Sequence, residues 1–477
     1  MSSEFSMVSL EQVSSKIGDG IHGTPKYDEK GSYYFINGNN LNSGRVMITT
    51  STKKVSYEQY VKHKKELNST TVLLSINGTI GNVAIYNHEP IILGKSACYI
   101  NVHTNVNVNY IGYVLKDKKF QNYIKQQANG STIKNVSLKL VREFKFPLPP
   151  KLQQDQIAGI LCSLDKKITI NKDISQTLEQ IAQALFKSWF VDFEPVKAKI
   201  AILEAGGSQE EATLAAMAAI SGKDADSLAI FEQEHPEKYA ELRATAKLFP
   251  SVMQESELGI IPEQWHVESI KSLTLILSKG TTPAKKDIIL DEPQVINFLK
   301  VKDISNNGEI NSSGLDKVSK RVHENLLKRS ILKENDLLFS IAGTIGRVSV
   351  VTADILDCNC NQAIAFVRLE QPSSHLHLVR MNLLSSRIQQ EVESKLVQGV
   401  QANLSLTSLG DLKIILPSND ILNVFNGIIA PIWEEQHSIN RQSNYLSQLR
   451  DTLLPKLLSG EITLPEAEEL AKEADYV

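Results

Sequence analysis

The sequence predicts an α+β protein in which two related α/β domains alternate with two long helices, as a pseudo-twofold internal repeat. Apolar residues recur at seven-residue steps over positions 157–185, and again over 425–453, which lie 268 positions later. A ten-residue turn sequence beginning at Leu74 recurs at Phe339, which lies 265 positions later. Because both features occur twice in the same order, the sequence predicts that the whole fold is duplicated.

The first long helix is predicted from its heptad pattern. Its seam positions are Ile157, Leu164, Asn171, Leu178 and Leu185, with Leu161, Ile168, Ile174 and Ile181 between them at three- or four-residue steps. This spacing is typical of a helix that packs against another helix along one face. At about 1.5 Å per residue the stretch spans roughly 42 Å, so it needs an equally long partner.

The same chain supplies a partner with the same spacing. The matching seam positions are Phe425, Ile432, Ile439, Leu446 and Leu453. The local pattern leaves open whether the two helices run parallel or antiparallel. It also leaves two interpretations of Asn171, which matches Ile439 in the second copy: a tolerated polar residue, or a buried amide that fixes the register of the pair.

Composition places the chain among ordinary multidomain globular proteins. It has 477 residues, of which 42% are hydrophobic and 22% charged. The first residues lack a basic segment followed by an apolar run, and no apolar stretch is long enough to span a bilayer, so we expect a cytoplasmic protein with no membrane contact. The four cysteines are too few and too scattered for a disulfide scaffold. Cys358 and Cys360 have no second ligand pair at zinc spacing, so we predict no metal site.

Charge is distributed unevenly along the chain. The net charge is −3, yet residues 1–150 hold 18 basic and 10 acidic side chains. Residues 191–255 hold 6 basic and 12 acidic side chains. The basic excess of the first domain suits a polyanionic partner.

The duplicated turn is predicted to join two strands. Residues 72–75 and 83–86 have the composition of strands, and Gly78 and Gly81 lie between them. Taken alone, this is the pattern of an ordinary hairpin. The turn recurs at 339–348, where Gly343, Thr344, Ile345 and Gly346 repeat the Gly-Thr-Ile-Gly sequence. This recurrence favours a turn that belongs to a duplicated domain over an isolated hairpin. Residues 110–127 are predicted to be helical, and prolines at 147, 149 and 150 close the first domain.

Weaker matches extend the repeat and define the predicted boundaries. Gly23, Thr24 and Pro25 loosely match Gly280, Thr282 and Pro283; Phe35-Ile36 matches Phe298-Leu299; and Gly130 with 135–138 matches Gly399 with 403–406. The predicted parts are a first domain 1–150, a helix 151–192, an inserted helical segment 193–255, a second domain 256–417, a helix 418–460 and an acidic tail 461–477. The inserted segment is predicted to hold a pair of short helices with no counterpart in the second half.

No motif for catalysis accompanies the repeat. Residues 18–23 formally match the dinucleotide fingerprint, but Thr24-Pro25-Lys26 follows in place of an apolar helix. Phosphate-binding loops, zinc-protease helices, nucleophile elbows and the Asn/Asp-Pro-Pro-aromatic motif of amino-methyltransferases do not occur in the sequence. The sequence therefore predicts a binding protein without a reaction of its own. Two similar domains separated by a helical spacer suit a DNA duplex, in which each domain takes one segment.

Several segments resemble the specificity subunit of type I restriction-modification systems. They are the Gly-Thr-Ile-Gly turn, Gly130-Ser131-Thr132, Pro-Leu-Pro-Pro at 147–150, residues 153–160, Leu-Phe-Lys-Ser-Trp-Phe-Val-Asp-Phe at 185–193 and Leu-Leu-Pro-Lys-Leu-Leu-Ser-Gly-Glu-Ile at 453–462. The resemblance covers nearly the whole chain. The second copy has Val400-Gln401 in place of Ser131-Thr132, so we do not predict for it the phosphate contact of the first copy.

The resemblance implies two target recognition domains, each of which reads one half of a split, asymmetric DNA sequence. It implies that the long helices pair antiparallel as a coiled coil, set the spacer and dock two modification subunits. Those subunits would carry S-adenosylmethionine and methylate adenine N6 after extruding the base. Restriction subunits with ATP- and Mg-dependent translocase and nuclease activity would join them. This chain itself would be non-catalytic and hold no cofactor.

Side chains near the repeated turns are the candidate DNA contacts. In the first domain they are Thr24, Lys26, Asn77, Thr79, Ser131, Thr132 and Lys134, and in the second Thr282, Lys285, Lys300, Thr344, Arg347 and Gln401. Small hydroxyls and amides near glycine turns can approach phosphates and bases. Two alternatives stay open. One is a non-catalytic scaffold that binds protein, and the other is an RNA-binding protein, for which 6% aromatic residues provide few stacking surfaces.

Overall fold

A computed structural model describes residues 5–42, 44–128, 135–284, 287, 292–312, 314–396 and 403–473. The chain divides into two compact units. The first comprises residues 1–175 and 437–477, and the second comprises residues 176–436. Each unit therefore contains one domain and a portion of each long helix.

The first domain is built on a four-stranded antiparallel sheet. Its strands are β1 Ser6–Ser9, β2 Ser14–Asp19, β3 Tyr33–Ile36, β4 Leu41–Asn42, β5 Arg45–Val46, β6 Lys54–Val55, β7 Thr71–Ser75, β8 Val83–Ile85, β9 Ile91–Leu93, β10 Ala97–Val102 and β11 Lys145–Leu148, and its helices are α1 Tyr57–His63, α2 Val108–Lys116, α3 Lys118–Gln127 and α4 Leu138–Glu143. The sheet has the order β2-β10-β7-β8. A smaller sheet has the order β6-β3-β9, in which β3 and β9 are parallel. Strand β1 pairs with β11, so the two ends of the domain meet.

The first long helix and the inserted helices follow. They are α5 Lys151–Phe190, α6 Glu194–Glu204, α7 Gln209–Ser221, α8 Ala225–Glu234 and α9 Pro236–Leu248. The prediction of an inserted pair of helices was wrong, since four helices occupy this segment. Lys199 of α6 helps to hold them together, because its buried ammonium donates to the carbonyls of Ala246 and Phe249 at the end of α9. Lysine at this position satisfies carbonyls that have no partner within the helix.

The second domain repeats the first. Its strands are β12 Met253–Ser256, β13 Gly259–Pro262, β14 His266–Ser269, β15 Thr274–Lys279, β16 Gln294–Leu299, β17 Asp316–Ser319, β18 Leu337–Ser340, β19 Val348–Val350, β20 Cys358–Cys360, β21 Ile364–Leu369 and β22 Lys413–Leu416, and its helices are α10 Pro372–Leu384, α11 Ser386–Ser394 and α12 Leu406–Gly410. The main sheet has the order β15-β21-β18-β19, which matches the first domain strand for strand. Strand β16 is parallel to β20, as β3 is to β9. The predicted duplication of the fold is confirmed.

The chain ends with the second long helix and a short one. These are α13 Asn419–Ser459 and α14 Leu464–Glu473. The predicted acidic tail thus contains a helix, and its Ala467 is fully buried in the first unit's core. Both α14 and α6 follow a long helix after a residue in the left-handed conformation, Gly460 and Phe193 respectively. That residues 193–255 have no counterpart in the second half stays a prediction.

The repeated turn needs glycine at both of its predicted positions. Gly78 and Gly81 have φ angles of 73° and 95°, and Gly343 and Gly346 have φ angles of 75° and 91°. A residue with a β-carbon is strained in this left-handed region. The predicted strands on either side are confirmed as β7 and β8, which pair antiparallel.

The single helix predicted over 110–127 is instead two helices that meet at Asp117. The backbone of Asp117 is extended, with ψ at 146°, and its carboxylate accepts the Lys119 N–H at the start of α3. Ser385 caps α11 at the same place in the second domain. A capping side chain offers the backbone an alternative partner and so begins a new helix.

The two long helices pair antiparallel within the first unit. Asp165 of α5 accepts a hydrogen bond from Arg450 of α13 at 2.7 Å, and Asn171 donates to Gln442 at 2.8 Å. As residue numbers rise along α5 they fall along α13, which settles the direction that the heptads left open. The predicted seam residues Ile157, Leu164, Leu446 and Leu453 share one buried cluster. Asn171 is buried and bonded across the seam, which favours the interpretation that it fixes register.

The second unit shows the same antiparallel pairing. Gln436 of α13 donates to Glu179 of α5, and the ring of Phe425 contacts that of Phe190 with centroids 4.8 Å apart. The predicted seam residues Leu178, Leu185 and Ile432 are half-buried, as is Ile439 of the first unit, whereas Phe425 is fully buried.

Ile174 and Ile181 do not lie in the seam, although the sequence predicted both there. They are 42% and 49% exposed. A straight α-helix has 3.6 residues per turn, so a pattern that repeats every 3.5 residues drifts around the helix and moves flanking positions out of the seam. Ile174 lies in the first unit and Ile181 in the second, and in each the side chain faces away from the buried clusters.

Candidate nucleic-acid interface

Four loops of the first domain meet at one end of its main sheet. We call this the first loop end: residues 20–27, 37–40, 76–81 and 94–96, with Asn135 beside them. Backbone hydrogen bonds hold the loops together: Gly20 to Ala97, Gly94 to Ile36, Ile76 to Ser96 and Val136 to Ile76, each 2.8–3.1 Å from donor nitrogen to carbonyl oxygen. Because the strands carry these loops, their positions follow from the sheet.

The second domain forms an equivalent loop end from residues 280–284, 300–303, 341–346 and 361–363, with Asn403 beside them. The same bonds recur: Gly280 to Ile364, Asn361 to Leu299, Ile341 to Ala363 and Leu404 to Ile341, each 2.8–3.0 Å long. The repeat therefore preserves the backbone of the loop end, while its side chains differ.

The structure corrects one match within the repeat. The counterpart of Gly280 is Gly20, and not Gly23. A β-carbon on Gly20 would lie 2.1 Å from the Leu93 carbonyl oxygen, and one on Gly280 would lie 2.0 Å from that of Cys360. Gly23 has open space around it. The close approach of two chain segments, and not turn formation, requires these two glycines.

A glutamine anchors each Gly-Thr turn to the helix behind it. The Gln121 amide donates to the carbonyls of Gly81 and Leu115 at 2.8 and 2.7 Å. Gln389 does the same with Gly346 and Leu383 at 3.1 and 2.6 Å. Neither glutamine was predicted from sequence. Their separation of 268 positions equals that of the long helices, and this equality is the signal that could have found them.

The described candidates of the first domain lie on two loops of the first loop end, Thr24 and Lys26 on 20–27 and Asn77 and Thr79 on 76–81. Thr24, Lys26 and Thr79 are exposed, and Asn77 is half-buried in a bridge with Asn135. The Lys26 backbone N–H donates to the side chain of Gln59, and the residue is exposed. Ser131, Thr132 and Lys134 lie outside the described residues.

The second loop end holds Thr282 and Thr344, both exposed. The Thr282 hydroxyl donates to the side chain of Gln362. Lys300 also lies there, but its ammonium is 2.6 Å from Asp316 and holds the pKa of that carboxyl below its ordinary value. Lys285 and Gln401 lie outside the described residues.

Arg347 is the candidate whose position differs most from the prediction. Its guanidinium donates to the backbone carbonyls of Val301 and Ile304, and so ties the turn to the neighbouring loop. An arginine committed to two carbonyls stabilises the loop end. Its direct contact with DNA stays a prediction.

Two exposed lysines at the loop ends were missed. Lys95 lies in the first, between β9 and β10, where the second has Gln362. Lys302 lies in the second and is 3.4 Å from Asp316. Neither belongs to a recognisable motif, so only the folded chain places them beside the turns.

Neither a metal-ligand cluster nor a membrane-spanning helix occurs in the described part of the chain. Among residues 5–42, 44–128, 135–284, 287, 292–312, 314–396 and 403–473, no three His, Cys, Asp or Glu side chains gather as a metal site. No helix within these ranges is both long and apolar enough to cross a bilayer.

Comparison with known families gives the duplicated loop ends a context. The family profile of the type I restriction modification DNA specificity domain matches residues 2–180 and 262–442. The chain belongs to this family. Each match contains one loop end and a portion of the long helix that follows it, so the match is duplicated as the fold is. Members of this family provide DNA sequence specificity.

Relatives with assigned roles cover most of the chain. It is 32% identical over 391 residues to the HindI specificity subunit of Haemophilus influenzae. The aligned region covers 77% of this chain and 81% of the relative. It is 25% identical over 390 residues to the EcoBI specificity subunit of Escherichia coli, spanning 80% and 72%. A crystal structure of the S subunit from M. genitalium has the same fold, with a TM-score of 0.50, 14% identity and coverage of 95% and 96%.

Proposed function

We propose that this chain is the DNA-sequence specificity subunit of a type I restriction-modification complex, and that each domain reads one half of a bipartite, asymmetric site. The duplicated loop end carries the proposal. Two equal backbone frames present different side chains, such as Lys95 in one and Gln362 in the other. A common frame can approach the same duplex in the same way, while different side chains select different bases.

The partners in this proposal supply the chemistry. Modification subunits would dock on the paired helices, bind S-adenosylmethionine and methylate adenine. Restriction subunits would use ATP and Mg²⁺ to translocate and cleave DNA. The helices would set the number of base pairs between the half-sites, because a stiff antiparallel pair fixes a length. The family membership and the antiparallel pairing within each unit support this arrangement.

Exchange of one domain tests the proposal. Residues 6–148 are replaced by the corresponding residues of another family member, and the long helices are left intact. The variant is produced with its modification subunits, and methylated adenines in host DNA are mapped by single-molecule sequencing. We expect one half-site to change while the other half-site and the spacer stay the same.

The reciprocal exchange of residues 266–416 is the matched control, and it should change only the other half. Alteration of both halves by either exchange would contradict independent reading. Methylation with no sequence preference in the parent complex would favour the scaffold interpretation, in which the repeated domains bind only protein.

A further inference from the structure

A carboxylate of α5 joins the first domain to the helix pair. The Asp165 carboxylate accepts hydrogen bonds from the Tyr113 hydroxyl at 2.9 Å, from the Lys116 ammonium at 3.3 Å and from Arg450 at 2.7 Å. Tyr113 and Lys116 belong to α2, and Arg450 belongs to α13. Burial disfavours the ionised form of Asp165, but Lys116, Arg450 and Tyr113 together hold the pKa of this carboxyl below its ordinary value. We call these four residues the first junction.

A second carboxylate of α5 joins the second domain to the helix pair. Glu179 accepts from the Arg380 guanidinium at 3.2 Å and from the Gln436 amide at 3.3 Å. Arg380 belongs to α10 and its side chain is only 7% exposed. Burial opposes ionisation of Glu179, and Arg380 with the amides of Gln183 and Gln436 outweighs it, so its pKa lies below the ordinary value. Glu179, Arg380 and Gln436 form the second junction.

The two junctions are not copies of each other. The offset of 268, fixed by Gln121 and Gln389, aligns α2 with α10 and α5 with α13. At the positions equivalent to Tyr113, Lys116, Asp165 and Arg450, the chain has Met381, Leu384, Trp433 and Ala182. Met381 and Ala182 are buried, and Leu384 and Trp433 pack against the same core. An ionic network in the first unit is thus replaced by apolar packing in the second.

The reverse holds at the positions of the second junction. Arg380, Gln436 and Glu179 are equivalent to Gly112, Ile168 and Ser447. A side chain at Gly112 would be tight, because its β-carbon would lie 3.0 Å from the δ-carbon of Ile85, which would have to move. The residue equivalent to Ile85 is Val350, at an offset of 265, and it lacks that carbon. Each unit therefore has an ion pair at positions where the other unit has uncharged residues.

We propose that each junction fits only its own domain, so that a domain exchanged into the other position on the helix pair is destabilised there. A first domain in the second position would leave Glu179 without Arg380 and would set Lys116 against Trp433. A second domain in the first position would leave Asp165 without Tyr113 and Lys116. The Asp165 and Glu179 side chains are only 27% and 17% exposed, so loss of their partners is destabilising. The consequence for DNA, a fixed order of the two half-sites, rests on the proposed function.

A chain with the first domain in both positions tests this. Residues 266–416 are replaced by a second copy of residues 6–148. A junction-matched version carries, in that second copy, Ile85→Val, Gly112→Arg, Tyr113→Met and Lys116→Leu. We expect its Tm to exceed that of the unmatched duplicate by about 5 °C or more, because Glu179 regains its arginine.

The same four substitutions in the first domain of the natural chain are the matched control. There they should lower Tm by a similar amount, since Asp165 loses two partners. A general effect of the substitutions on domain stability would have the same sign in both places. Equal signs would overturn the proposal.

Methylation mapping separates this inference from the proposed function. With modification subunits, the matched duplicate should methylate a site in which the first half-site occurs twice. If Tm depends on position as expected but no such site appears, the junctions act as inferred and independent reading fails. If the doubled site appears equally with matched and unmatched duplicates, and Tm does not depend on position, the junction inference fails while the reading function stands.

Discussion

Equivalent residues of the two domains can make the same backbone hydrogen bond and still differ in what their side chains bind. Asn82 and Arg347 follow the same turn, and both donate their backbone N–H to a buried serine, at 2.8 and 2.7 Å. The Arg347 guanidinium then turns to the carbonyls of a neighbouring loop. A residue that suits DNA by type can thus serve the loop itself, because a buried carbonyl without a partner is costly. The exposed lysines are better candidates for phosphate contacts.

Lys95 provides the clearest test of such a contact. Lys95→Ala should weaken binding of the assembled complex to all DNA sequences about equally, and should lower the slope of log affinity against log salt by about one. The measurement is a salt titration of binding to specific and unrelated duplexes.

Lys64→Ala is the matched control for Lys95. Lys64 is exposed and lies two residues before Glu66. The Glu66 carbonyl accepts a hydrogen bond from Asn101, which is at the end of β10 opposite to the first loop end. An equal loss of salt slope in the Lys64 variant would mean that the loop end is not the phosphate-binding surface.

His377 makes the second unit sensitive to acid. Burial, with a contribution from Arg380, lowers its pKa to about 4, and its ring packs on Trp433. The unfolded chain takes up a proton near the ordinary value of 6.5, before the folded chain does. Stability from this group is therefore complete above pH 6.5 and falls between pH 6.5 and 4, by about 3 kcal/mol.

Urea unfolding of the full chain at several pH values between 7.5 and 4.5 measures this effect. His377→Asn, which introduces the residue found at the equivalent position 109, should flatten the dependence on pH. Burial also lowers the pKa of His375, so His375→Asn measures the neighbour's share. A His377 variant that keeps the full slope would show that another group is responsible.

At the scale of elements, the long helices depend on register. In both units the antiparallel contacts join residues whose numbers sum to nearly the same value, as for Asp165 with Arg450 and Glu179 with Gln436. A change of length in one helix alone breaks this relation, whereas matched changes in both keep it. Seven residues are two helical turns, so a matched change also keeps the seam facing the partner.

Deleting residues 167–173 together with 442–448 should therefore leave a folded chain and a shorter spacer. Seven residues at about 1.5 Å correspond to roughly 10 Å, or about three base pairs at 3.4 Å each. Methylation mapping gives the spacer directly.

Deletion of 167–173 alone is the comparison variant. It should lower Tm and impair assembly, because Asp165 and Glu179 can no longer both meet their partners on α13. A spacer that stays the same after the matched deletion would show that the helices do not set it.

At the scale of the whole molecule, the two domains share one backbone fold but differ in the side chains that the fold carries. The main sheets have the same strand order, and the turns have the same glycine conformations. The junctions and the exposed side chains differ. Selection for one fold acts on every residue of a core, whereas the partner of each surface residue can differ between copies.

The sequence by itself determined the class, the repeat and the existence of the helix pair. Heptads, a recurring turn and segments typical of a known family suffice for these, because periodicity and glycine conformation are local properties. The break at Asp117, the four inserted helices and helix α14 were missed, since short helices depend on caps and packing more than on pattern.

Only the tertiary structure decided which residues meet. The antiparallel pairing that the family resemblance implied is confirmed, but its contacts, the bonds of Gln121 and Gln389 to the repeated turns and the partners of Asp165 and Glu179 join positions between 40 and 285 residues apart. No local pattern encodes such a pairing. It follows from the way the sheets and helices bring distant segments within the few ångströms over which hydrogen bonds and ion pairs act.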